Sequence, residues 1–190
     1  MKIENGFVKI AGSSDLEDSS MAVGLCAIIQ YPFSEVVDIM KYIKPDGKYQ
    51  RCDNSKYLFS RDQTLCLVAG LNACGYKSFA SLDRVDGKDI FSPANKGHIK
   101  RCQGLKANWF QDLWLKAEIL FHAKFTPLAE PNQLIAMMMV AGDEYLKLWV
   151  KHNKQWHRSI NKYWCSEDGA WRGEPEFAAH MAKVIHERTA

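Results

Sequence analysis

Long apolar runs are missing from this chain. The longest, residues 134–141, falls far short of the roughly 20 residues that a membrane-spanning helix needs. No Cys-x-x-Cys pair occurs among the six cysteines, at 26, 52, 66, 74, 102 and 165. A disulfide scaffold is therefore the lesser reading, and free thiols in a reducing compartment the greater. Met1 opens a polar stretch (Lys2, Glu4, Asn5) instead of a charged start feeding an apolar segment, so the expected location is the cytoplasm. Neither sign of charge dominates: the net charge of +3 is too small to demand a nucleic-acid partner. Sheet alternation is absent beyond the first dozen residues. Gly-x-Ser-x-Gly elbows, phosphate-binding glycine loops and dinucleotide fingerprints are absent too, so no cofactor is expected.

What the chain does have is apolar material at helical spacing. With 47% hydrophobic and 12% aromatic residues in 190, it suits one domain with a sizeable core. Residues 1–18 read as an arm or a short strand, and residues 19–190 as a single helical domain. Helices are expected at about 19–30, 34–43, 61–74, 106–124, from Pro131 to about 164, and 174–188. The fifth of these has a possible break at Gly142. Gly75 is placed to stop the third helix. Residues 134–141 are apolar on every face and belong at the centre of the core. Residues 76–105 are the least regular stretch, either a functional loop or the site of a short hidden element. The fold class is all-α, with about six or seven helices.

Three polar clusters carry candidate chemistry. Ser60-Arg61-Asp62-Gln63 precedes an apolar helix and matches a capping box, with Asp62 suited to the positive helix end. Capping leaves Arg61 unexplained, and an arginine beside a carboxylate after Tyr49, Tyr57 and Phe59 also suits a polar ligand. Trp171-Arg172-Gly173-Glu174-Pro175-Glu176 sets two carboxylates beside an aromatic and an arginine. Paired carboxylates divide acid and base roles in glycoside hydrolysis, although Pro175 and Glu176 equally suit a helix first turn. The third cluster is a basic face: residues 145–166 contain no acidic residue, and Lys147, Lys151, Lys154, Arg158 and Lys162 fall within a narrow sector of one helix face. Leu146, Trp149, Asn153, Trp156, Ile160 and Tyr163 take the other side as core. The bland account of the basic face is solvation; the functional one is an acidic protein or nucleic-acid surface. Metal ligation has little support, since His152 and His157 do not align on a helix and Glu118 with His122 lacks a third ligand.

Lys41-Tyr42 followed by Asp46-Gly47 and Arg51 is echoed by Lys162-Tyr163 followed by Asp168-Gly169 and Arg172. Helix ends favour Asp-Gly turns in any case, but repeated helical hairpins would produce the same echo. Asp46-Gly47-x-Tyr49-x-Arg51, Tyr57, Ser60-Arg61-Asp62-Gln63, and the later run from Pro131 through Trp171-Arg172-Gly173-Glu174 together resemble α/α-toroid proteins related to six-hairpin glycosidases, including bacterial and phage-encoded members. The resemblance covers about two-thirds of the chain. It implies a partial α/α-toroid of helical hairpins, because a full six-hairpin ring needs more chain. It also implies a glycan or other polar ligand in an aromatic-lined pocket. Asp62 and Glu174 would be the acid/base residues, with Asp46, Tyr49, Arg61, Gln63, Trp171 and Arg172 holding the ligand. The alternative is a non-enzymatic interaction or inhibitor protein that docks an acidic partner through the basic face.

Overall fold

The computed structural model describes residues 2–4, 7–9, 19–31, 39–42, 61–76, 93–128, 132–165 and 174–190. Among these the protein is all-α, apart from a short antiparallel hairpin of β1 (Lys2–Glu4) and β2 (Phe7–Lys9). Ile3 pairs with Val8, and buried Val8 donates its N–H to the Tyr42 hydroxyl at 3.0 Å. Tyr42 lies in a 3-10 turn, Ile39–Tyr42, the described part of the helix expected over 34–43.

Eight α-helices follow among the described residues, one or two more than expected. The first two, α1 (Ser19–Ile29) and α2 (Arg61–Ala73), cross closely. Glycine makes the crossing possible: a Cβ on Gly24 would collide with the Cys66 carbonyl oxygen, and one on Gly70 would lie 2.6 Å from the Gly24 Cα. Helix α2 stops where expected. Gly75, at φ +83°, donates to the Asn72 carbonyl at 2.9 Å, and Tyr76 donates to Leu71 at 2.9 Å.

The irregular stretch contains a hidden element, α3 (Pro93–Cys102). Next comes α4 (Trp109–Phe125), opened by a capping box in which the Asn108 side chain accepts from the Gln111 N–H at 2.9 Å and Gln111 returns the bond at 3.1 Å. Helix α5 (Asn132–Ala141) is the central element, packing on α1, α2, α3 and α6, with residues 134–139 all buried as their composition demands.

The expected long helix from Pro131 is three helices. Gly142, at φ +144°, separates α5 from α6 (Asp143–His152). Asn153 then separates α6 from α7 (Trp156–Cys165). The buried Asn153 side chain donates to the Pro127 carbonyl at 3.1 Å and accepts from the Gln155 N–H at 3.0 Å. The bond to Gln155 is local and competes with helical bonding, and the one to Pro127 anchors the turn to a segment 26 residues away. Helix α8 (Pro175–Thr189) packs on α7, α6 and α1. Near its end, Arg188 donates to the Met139 carbonyl at 2.7 Å and pairs with Asp143 at 2.6 Å, tying α8 to the α5–α6 junction.

No disulfide among the described residues involves Cys26, Cys66, Cys74, Cys102 or Cys165, and Cys26, Cys66 and Cys102 are buried. Among the described residues no helix is long and apolar enough to cross a membrane.

Candidate functional site

The residues expected to hold a ligand fall into two groups. Asp46, Tyr49, Trp171 and Arg172 lie outside the described residues, as do both Asp-Gly turns of the echo. Arg61 and Asp62 open α2, and Gln63 after them is buried. Glu174 sits at the start of α8, also buried, and α1 packs against both helices. The two predicted acid/base positions therefore stand at the N-termini of separate helices.

Glu174 makes no side-chain cap to α8. Its backbone N–H donates to the Trp164 carbonyl at 3.0 Å and its own carbonyl accepts from Ala178 at 3.1 Å, fixing the α7–α8 junction. The surroundings are aromatic. Tyr31 meets the Phe177 ring edge-on at 5.3 Å and His180 at 5.5 Å, and Trp164 meets Phe177 at 4.4 Å. His180 Nε2 is 2.8 Å from the Ile29 carbonyl, which holds α8 to the end of α1. Burial, then the charges of Glu176 and Glu174, pushes the Tyr31 phenol up. Burial, then Glu174, pushes the Cys26 thiol well up, which keeps it protonated and unreactive.

The basic face is built differently from its sequence expectation. A single helix would align its five cations, but Asn153 divides them: Lys147 and Lys151 are one turn apart on α6, Lys154 lies in the connecting turn, and Arg158 and Lys162 are one turn apart on α7. All five are exposed, and none is ion-paired among the described residues. The core side is as expected, with Leu146, Trp149, Asn153, Trp156 and Ile160 buried and Tyr163 partly so. Trp149 and Trp156 lie 6.2 Å apart across the break, so the inner face stays continuous where the helix does not.

Sequence reasoning missed a polar network between α3, α4 and α6. Arg101 donates to the Tyr145 hydroxyl at 2.7 Å and approaches Asp112 at 3.4 Å; Lys116 pairs with Asp112 at 2.8 Å, and the Tyr145 hydroxyl donates to Asp112. Burial, then the bond to Asp112, pushes the Tyr145 phenol up to about 12. Burial alone would raise the Asp112 carboxyl, but hydrogen bonds from Lys116, Tyr145 and Arg101 together hold it below the usual range. Beside this network, buried His98 bonds Glu118 through Nε2 at 2.8 Å. Burial lowers His122, with Glu118 opposing and His98 adding to the shift. From spacing alone only Glu118 with His122, four residues apart, was singled out; Asp112 and Lys116 share that spacing, and Arg101, His98 and Tyr145 arrive from other helices. Every charge in the network already has a partner within the fold, which describes a clamp between helices better than a reaction centre. No group of three or more metal-ligating side chains is assembled among the described residues.

Comparison with known protein families, with curated proteins and with solved structures finds no match to this chain.

Proposed function

We propose that the protein is a non-enzymatic binding protein that docks an acidic protein surface through Lys147, Lys151, Lys154, Arg158 and Lys162. The carrying observation is that five exposed cations occupy two consecutive helices and the turn between them, with no ion pair among the described residues and no carboxylate in residues 145–166. The acids at the start of α6 suit its helix dipole, and Asp143 is already engaged by Arg188. Cations left without partners repel one another, and an acidic surface relieves that repulsion while steering the encounter. A protein partner is favoured over single-stranded nucleic acid because Trp149, Trp156 and Trp164 are turned inward, leaving these helices no exposed tryptophan on which bases would stack.

The test uses a polyglutamate peptide and a short random-sequence duplex as probes. The peptide should bind, weaken steeply with salt, and be lost when Lys151, Lys154 and Arg158 are all replaced by Glu. Binding that ignores charge reversal would sink the proposal, and much tighter duplex binding would move it to nucleic acid.

Carbohydrate recognition in a partial toroid is the second reading, and the aromatic setting of buried Glu174 favours it. In this reading Arg61 and Asp62 orient a glycan, Tyr49 and Trp171 stack on it, and Asp62 or Glu174 serves as acid or base. Thermal stabilisation by an oligosaccharide panel, abolished by Arg61→Ala or Asp62→Asn in folded protein, would support it. No stabilisation of the parent, with both variants simply melting earlier, would reduce the cluster to a helix cap.

A further inference from the structure

Helix α4 turns its aromatic side chains away from the core. Its buried positions are Gln111, Leu115, Ile119 and Ala123, four residues apart. On the opposite side Trp109, Phe110, Leu113, Trp114, Phe121 and Phe125 are 79, 43, 57, 48, 53 and 72% exposed. At about 100° per residue these six span an arc of roughly 160° centred on Ala117, which is also exposed. Weighted by their exposure, they present roughly 700 Å² per chain, since a buried aromatic covers about 150–250 Å². The largest apolar patch on a typical monomer is about 300–600 Å². One side of a standard protein–protein interface is about 800 Å².

We infer that this face pairs with the same face of a second copy, with the two α4 helices antiparallel about a two-fold axis at Ala117. The order of residues along the stripe carries this choice of occupant. An antiparallel two-fold pairing sets Phe110 against Phe125 of the second copy and Trp114 against Phe121 along one edge. Along the other edge it sets Leu113 against Leu120 and Trp109 against Lys124. Ala117 faces itself at the centre, where a small side chain lets the helix axes approach closely. Lys124 is the only charge within the arc, and the pairing puts it over the indole of Trp109, a favourable cation–π contact. Lys116 and Glu118 lie just outside the seam. Each already has a partner in its own chain, Asp112 and His98, both at 2.8 Å, which holds both side chains aside from the seam. Apolar area near one half of a standard interface and a self-complementary sequence are the two requirements of an isologous dimer.

The test is the mass of the full chain measured by sedimentation over a wide concentration range. A dimer that dissociates on dilution is expected, and Ala117→Arg should weaken it by more than about tenfold with unchanged helical circular dichroism. Trp114→Ser serves as a second variant that adds no charge, and it should also shift the equilibrium to monomer. In a Cys74→Ser background, Ala117→Cys should cross-link to itself on mild oxidation, because only a residue at the axis meets its own copy. A monomer at every concentration would overturn the inference, and two cases of it would identify another occupant. Protection of the α4 tryptophans from a soluble quencher would show that a segment of the same chain covers the face, and their burial on adding neutral phospholipid vesicles would show a lipid surface. A dimer insensitive to both variants would place the interface elsewhere.

Discussion

Helices α4 and α5 are both rich in large apolar residues, yet the fold treats them in opposite ways. In α5 every side chain from Leu134 to Met139 is buried, because neighbouring helices surround it. In α4, Leu115 and Ile119 are buried on the side packed by α3 and α6, while five aromatic side chains and Leu113 on the far side stay exposed. Apolar content thus describes what a helix is able to bury, whereas the number of neighbours decides what it does bury. The difference separates residues that hold the monomer together from residues available to a partner.

The comparison breaks most sharply at the close crossing that supports the central helix. Gly24→Leu drives a side chain into the Cys66 backbone, and backbone cannot yield as a flexible side chain does. We expect a loss above about 4 kcal/mol, read as failure to fold or a collapsed urea midpoint. Within α5, Met137→Ala leaves a cavity at the centre of the core and should cost about 2–5 kcal/mol by urea unfolding at unchanged m-value.

At the inner edge of α4 the expected effect is smaller and depends on pH. Asp112→Asn weakens the clamp with Arg101, Lys116 and Tyr145, and should cost about 1.5–3 kcal/mol at neutral pH. The folded Asp112 carboxyl lies below its unfolded value of about 3.9, so the ionised clamp contributes fully above about pH 5. That contribution fades as pH falls through the lowered folded value. Parent and variant should therefore converge in stability toward pH 3, and a gap constant from pH 7 to 3 would remove the carboxylate from the clamp. Smallest of all is Phe125→Ser on the outer face. In dilute solution it should change stability by less than about 0.5 kcal/mol, whereas in concentrated solution it should lower the midpoint by loosening the dimer.

Much of the fold was legible because it is local. The apolar period of residues 61–74, the left-handed stop at Gly75, Pro175 in the first turn of α8 and the all-apolar run of α5 each report on interactions within a few residues. Helix α3 was obscured by its polar composition, and only the packing of buried His98 and Cys102 against the body gives it a place. The break at Asn153 was missed because the apolar stripe from Leu146 to Ile160 runs through it without losing phase. The bond from Asn153 to Pro127, 26 residues away, is what turns the chain there. For the basic face, exposure was read correctly and alignment on one helix was not.

For α4, two series of residues recur at helical spacing in the sequence, and period alone does not rank them. Trp109, Leu113, Ala117 and Leu120 form as regular a series as Gln111, Leu115, Ile119 and Ala123. Aromatic bulk alone would have turned the first series inward. Tertiary structure chose the second, because the small Ala123 side chain and the missing one at Gly97 allow close packing of α4 on its neighbours; a Cβ on Gly97 would sit 3.0 Å from Leu115. The sequence by itself determined the all-α class, most helix ends and the identity of the central helix, since hydrogen-bond caps and helical period act over a few residues. Which face of each helix is covered, which polar groups meet and where the long C-terminal segment turns were decided only by tertiary structure, because each depends on residues brought together from distant parts of the chain.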